Sequence, residues 1–258
     1  MLVSPLSFSA MLSRFQSHPE PATVEPVPTV FPKIEGADIA AVFVGKRVAG
    51  DFYDSVRASS ERVLIGLLDI AGRREENRGL LIAAQELFRS LGVELFSGSD
   101  INEADAMTEL CLRLNRRLIE VCCGVHSCPA FIACYHEKFG TLCYTNAGHT
   151  PALLRDRTGI LELTSTGLPL GLFSHATCEA PTVGMEKGAS LLLVSRGVVD
   201  TENRDGSFGL DGVKKTLESA PSATAETLCS SILQAAADFS GSKPAVDDRT
   251  AMALLREL

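Results

Sequence analysis

Apolar residues recur along this chain with two different periods. The short unbroken runs "IAAVFVG" (39–45) and "RVLIGLLDI" (62–70) are too short for a typical helix and suit buried strands. From residue 75 to 91 the period changes, and Leu80, Leu81, Ala84, Leu87, Phe88 and Leu91 fall at helical spacing. Acidic residues open that segment, which favours a helix N-terminus there. A second helix is predicted from about 102 to 121, with Ala106, Leu110, Leu114 and Leu118 on one face. "PAFIACYHEKFGTLCYTNAG" (129–148) reads as two strands around a turn at 138–140. Further strands are predicted at 151–155, 160–163 and 189–195, a late helix at 222–239, and a closing strand in "RTAMALLREL". Strands grouped around a helical pair, without regular βαβ alternation, predict an α+β fold with largely antiparallel sheets.

The pattern breaks at 17–33, "SHPEPATVEPVPTVFPK", which holds five of the twelve prolines and no helical period. It reads as an extended lead-in. This divides the chain into a Pro-rich lead-in, 1–33, and one folded domain, 34–258. The first residues, "MLVSPLSFSAML", lack the basic start and sustained apolar core of a signal peptide. No apolar run approaches the length of a membrane span.

Charge and cysteine content narrow the class. A net charge of -8 argues against nonspecific binding to nucleic acid or an anionic membrane. The eight cysteines sit mostly in apolar segments with no framework spacing, which points to reduced core thiols in a cytoplasmic protein. Cys122, Cys123, His126 and Cys128 have zinc-ligand chemistry, but paired CxxC knuckles are absent and core packing is the expected role. Cys111 and Arg117 have the Cys-x5-Arg spacing of cysteine phosphatases, yet they lie inside a helical stripe with no glycine loop to cradle phosphate.

The carboxylates carry more information. Asp51 follows Gly50 in "AGDFYD", Asp69 ends an apolar strand in "LLDIAG", and Asp247 and Asp248 stand at the mouth of the last strand in "AVDDRT". A solvated turn residue is the commoner reading of any one of them. Three such sites together suggest a cluster, and clustered carboxylates stay ionised only if cations neutralise them. All-oxygen ligation favours Mg²⁺ or Mn²⁺.

On these residues the chain resembles the metal-dependent PPM-type (protein phosphatase 2C-like) serine/threonine phosphatases, in their bacterial SpoIIE-like branch. "VAGDFYD" (48–54), "LLDIAGRR" (67–74), "YTNAGHTPALL" (144–154), "GLPLGLF" (167–173), "LLLVSRGVVDTEN" (191–203) and "DDRTAMAL" (247–254) are similar to that branch's motifs and occur in its order. The resemblance implies two packed antiparallel sheets flanked by helices, with a binuclear Mn²⁺/Mg²⁺ site at one edge. It implies Asp51, Asp69 and Asp247 as metal ligands, the backbone carbonyl of Ile70 assisting, and Asp248 as a neighbouring outer-sphere acid. Asn146 and His149 are implied as structural support near the site. Water activated by metal would attack the phosphorus directly, so no cysteine is needed. The implied substrate is a phosphorylated regulatory protein, such as an anti-sigma antagonist.

Three positions depart from the family pattern. The aspartate of the family's TDG motif, a metal ligand, falls at Arg196, and a guanidinium cannot ligate a metal. It can instead take the second metal's place as a fixed positive charge near Asp69 or Asp247. Ala71 replaces the usual serine and Arg74 the second glycine beside Asp69. The sequence therefore supports an impaired metal-dependent phosphatase that binds one ion or at most two. The alternative is a catalytically inactive phosphatase-fold binding module.

Overall fold

A computed structural model describes residues 26–45, 50–70, 77–122, 127–204, 206–220, 223–241 and 248–258. Among the described residues, ten strands form two five-stranded antiparallel sheets, ordered β1-β10-β9-β6-β7 and β2-β3-β4-β5-β8. The first sheet contains β1 (Ala37–Val44), β6 (Ala152–Asp156), β7 (Gly159–Leu163), β9 (Ser190–Val194) and β10 (Arg249–Arg256). The second contains β2 (Gly50–Arg57), β3 (Arg62–Ile70), β4 (Ala130–His136), β5 (Thr141–Ala147) and β8 (Thr182–Gly184). The helices are α1 (Arg78–Phe96), α2 (Glu103–Cys122), α3 (Arg196–Val199), α4 (Gly209–Ser219) and α5 (Ala225–Ser240).

Side-chain alternation sorts these elements into four layers, because successive residues of a strand point to opposite faces. Val63, Ile65 and Leu67 of β3 meet Leu191, Leu193, Met252 and Leu254 in a core between the sheets. The alternate residues Leu64, Leu68 and Ile70 face outward and bury the apolar stripes of α1 and α2. On the other side, Leu192, Val194, Ala251 and Ala253 pack under α4 and α5. The expected α+β fold of two packed antiparallel sheets flanked by helices is what the chain adopts.

Several elements are absent from the sequence-based expectation. β2, β8, α3 and α4 were not read from the pattern, and β9 stops at Val194, one residue before Ser195 and Arg196 turn into the four-residue helix α3. Cys111, Cys134, Cys143, Cys178 and Cys229 are free and buried, and Cys128 is buried with them. Cys111 faces the core from within α2, and its sulfur contact with Cys178 together with burial pushes its thiol well above the ordinary range. That is the opposite of an activated nucleophile. Residues 123–126 lie outside the described residues, so the zinc alternative is not addressed by the fold. No described helix is long and apolar enough to cross a membrane.

Candidate active site

β2 and β3 pair so that Asp51 stands directly opposite Asp69. By alternation Asp69 shares the inner face of its sheet with Val63, Ile65 and Leu67, so both acids close one end of the core between the sheets. Two like charges directly opposed on neighbouring strands destabilise the pair unless a cation offsets them. Both are largely withdrawn from water: Asp51 is 9% exposed, and the Asp69 side chain 12%.

The facing sheet delivers polar groups to the same end. Thr250, on the inner face with Met252 and Leu254, donates its hydroxyl to Asp51 Oδ2 at 2.8 Å. Its backbone N–H donates to the buried Ser195 hydroxyl at 3.0 Å, and Ser195 N–H returns a bond to the Thr250 carbonyl at 2.9 Å. Ser195 thus locks the end of β9 to β10 immediately before Arg196. The Arg196 guanidinium lies with Nε 3.7 Å from Asp69 Oδ2 and 3.9 Å from Asp200 Oδ2. These separations are too long for hydrogen bonds and mark a Coulombic contact. The side chain is 58% exposed, so solvent reaches the guanidinium.

Asp248 is buried, and its carboxylate packs against the backbone at the end of β1: a Cβ placed on Gly45, whose φ is +155°, would lie 2.1 Å from Asp248 Oδ1. That position has no room for a side chain. Asp247 lies outside the described residues, as do Ala71 and Arg74. The Ile70 side chain is buried in the core beneath α1 and α2, which leaves only its backbone for any role at the site.

Asn146 and His149 build the turn that pairs with the segment bonded to Asp69. Asn146 Oδ1 accepts the His149 N–H at 2.8 Å, and its Nδ2 donates to the Leu163 carbonyl at 3.1 Å. Gly148 pairs with Ala130, and Pro129 next to it accepts the Asp69 N–H at 2.8 Å. The His149 ring is buried, with Nδ1 3.0 Å from the Thr150 carbonyl and Nε2 without a hydrogen-bond partner among the described residues. Burial pushes its pKa down to about 4, so the imidazole is neutral at ordinary pH.

Two of the three expected ligands, Asp51 and Asp69, therefore meet, with Arg196 and Asp248 at the adjoining strand ends. Among the described residues alone, no three His, Cys, Asp or Glu side chains gather into a metal-binding set. Thr250 and Ser195 were not singled out in the sequence. The signal for Thr250 was its parity: it shares the inner face with Met252 and Leu254, where a hydroxyl needs a partner.

The paired carboxylates suit a hard cation, because they offer oxygen donors side by side on adjacent strands. Arg196 does not suit a second, since it brings positive charge and no lone pair to the Asp69 side.

The chain is 25% identical to phosphoserine phosphatase RsbU of Bacillus subtilis (strain 168) over 207 residues, 79% of this chain and 56% of RsbU. It thus spans little more than half the length of that relative. It is similar in fold to the RsbU and RsbW domains of Rv1364c from Mycobacterium tuberculosis, with TM-score 0.73, 21% identity, and coverage of 88% of this chain and 62% of that one. The SiaA-PP2C domain of Pseudomonas aeruginosa superposes with TM-score 0.69 at 17% identity, over 83% of this chain and 85% of that one. Residues 59–257 match the family described as stage II sporulation protein E, and the chain belongs to this SpoIIE family.

Proposed function

We propose that the chain is a metal-dependent protein phosphatase that hydrolyses a phosphoserine or phosphothreonine on a regulatory protein, through a site reduced to one principal cation. The observation that carries this is the direct opposition of Asp51 and Asp69 on paired strands, at the end of the inter-sheet core. Family membership supports the reaction class, and the phosphoserine phosphatase RsbU supports the substrate class. Asp51 and Asp69 would hold the ion, Mn²⁺ or Mg²⁺, with Asp247 and the Ile70 carbonyl contributing and Asp248, beside Gly45, as a neighbouring outer-sphere acid. When bound, such an ion polarises a phosphoryl oxygen and acidifies water.

The chain's own groups do the rest. Thr250 holds Asp51 through its Oδ2. Ser195 fixes the end of β9, and with it the origin of the Arg196 side chain. Arg196 offsets the charge of Asp69 where the family places another carboxylate, and its solvent exposure leaves guanidinium donors accessible to a phosphate. Asn146 and His149, as neutral groups, brace the turn beside the Pro129–Ala130 segment that bonds Asp69.

The second reading, a phosphatase-fold module that binds without turnover, is favoured by that same contact of Arg196 with Asp69. Steady-state hydrolysis of p-nitrophenyl phosphate and a phosphoserine peptide separates the two. Slow Mn²⁺-dependent release of phosphate, abolished by EDTA and reduced at least a hundredfold in Asp69→Asn, is the expected result. Peptide binding with no release at any Mn²⁺ concentration would establish the second reading.

A further inference from the structure

The Pro-rich segment before β1 is docked against the strand that carries Asp51. Val27 is gripped through its backbone by Gln85 of α1: its N–H donates to Gln85 Oε1 at 2.7 Å, and its carbonyl accepts from Gln85 Nε2 at 2.8 Å. Gln85 is only 3% exposed, so this paired contact satisfies an otherwise buried amide. The Thr29 hydroxyl donates to the Tyr53 carbonyl at 2.8 Å and lies 3.2 Å from Asp54 Oδ1. Phe31 stacks on Tyr53 with ring centres 6.2 Å apart, and Arg57 donates to the Lys33 carbonyl.

The partners ascend from 53 to 57 as the segment ascends from 29 to 33, so it runs parallel to β2. β2 is the terminal strand of its sheet, and the segment lies along the edge that β3 does not occupy. One turn along α1 from Gln85, Arg89 holds the buried Asp54 carboxylate in a fork, with Nε–Oδ2 at 2.7 Å and Nη2–Oδ1 at 2.9 Å. A single face of α1 thus grips both the segment and β2. At its upstream end the segment helps wall a cavity of about 220 Å³ that Pro28 and Thr29 line together with Phe43 and Asp51.

We propose that residues 26–31 are a working part of the active site. They form a strap that holds the free edge of β2 and keeps Asp51 opposite Asp69, with Gln85 as the positioning residue that holds the strap. The proposal rests on the reading of Asp51 as a site residue. A strap that only covered an edge strand against stray pairing would affect stability and leave the register of Asp51 alone.

Residue-resolved hydrogen exchange and p-nitrophenyl phosphate kinetics with Mn²⁺, on the full chain, separate these roles. Gln85→Leu keeps the buried volume and removes both bonds to Val27. It should speed exchange at Val27 and at residues 50–54 at least tenfold while β4 and α2 stay slow. It should also lower kcat about tenfold with KM moved less than twofold. Gln85→Glu, which still accepts from Val27, should recover part of both effects. Thr29→Val, a milder change, should give the same pattern at smaller amplitude if Gln85→Leu does not fold. Freed exchange at Val27 with residues 50–54 unchanged would overturn the proposal, as would altered exchange at 50–54 with native kcat. If the native chain hydrolyses nothing, the exchange at 50–54 still decides the positioning role, and the failure counts against the phosphatase reading alone.

Discussion

The Thr250 hydroxyl orients Asp51. Thr250 supplies the hydrogen bond to Oδ2, and Thr250→Val would leave a buried carboxylate oxygen without it at nearly constant volume. Losing a hydrogen bond to a buried carboxylate costs about 1–3 kcal/mol. Urea unfolding should show that loss, calorimetry should show weaker Mn²⁺ binding, and Thr250→Ser should restore most of both. An unchanged affinity in Thr250→Val would mean that the hydroxyl does not orient the acid. The acids themselves were legible in the sequence, because each stands at the end of an apolar run or after a glycine. Their pairing was not, since it requires knowing that β2 exists and where it registers against β3. Arg196 was legible as a misplaced cation, and its contact with Asp69 is the one its charge favours among the acids at that end.

At the scale of elements, pattern and fold agree where periodicity is long and fail where it is short or mixed. The 19-residue α1 and the nine-residue apolar β3 announce themselves. β2, "GDFYDSVR", does not, because aspartates occur on both of its faces and its free edge is covered by the strap rather than by another strand. α4 buries only Val213 and Leu217, too few to set a period against its charged residues. The strap has no periodicity at all, and prolines read equally well as linker or as docked segment.

The packing of α1 on its sheet rests on a close approach at Gly92. A Cβ there would lie 2.5 Å from Leu64 Cδ1 and 3.2 Å from Val56 Cγ1. Gly→Ala in a helix ordinarily gains up to about 1 kcal/mol, and overpacking costs about 1–3 kcal/mol. Gly92→Ala should therefore lower the urea midpoint. Gly79→Ala in the same helix, with nothing within 4 Å of its Cβ, should hold or raise it. Equal shifts in the two variants would contradict the close approach.

For the whole molecule, the neutral His149 sets an acid limit. Its folded pKa of about 4 lies below the ordinary value of 6.5, so the unfolded chain binds the extra proton first. The contribution is fully present above about pH 6.5 and is lost as pH falls toward 4, by on the order of 3 kcal/mol. Comparing the pH dependence of urea stability in the native protein and His149→Gln isolates this group. The native curve should fall more steeply between those pH values, and parallel curves would show that the ring is not buried neutral. The same end of the molecule also carries the functional claim, that a fixed guanidinium stands where a second cation would sit. Two unit charges about 4 Å apart interact by about 4 kcal/mol at an effective dielectric of 20, and a dication by about twice that. The solvent exposure of Arg196 reduces both figures but not their sign. Calorimetric titration of the native protein and Arg196→Asp with Mn²⁺ reads the consequence as ions bound per chain. One weakly bound ion in the native protein, rising toward two with faster phosphoester hydrolysis in Arg196→Asp, is the predicted result; two tightly bound ions in the native protein would contradict it.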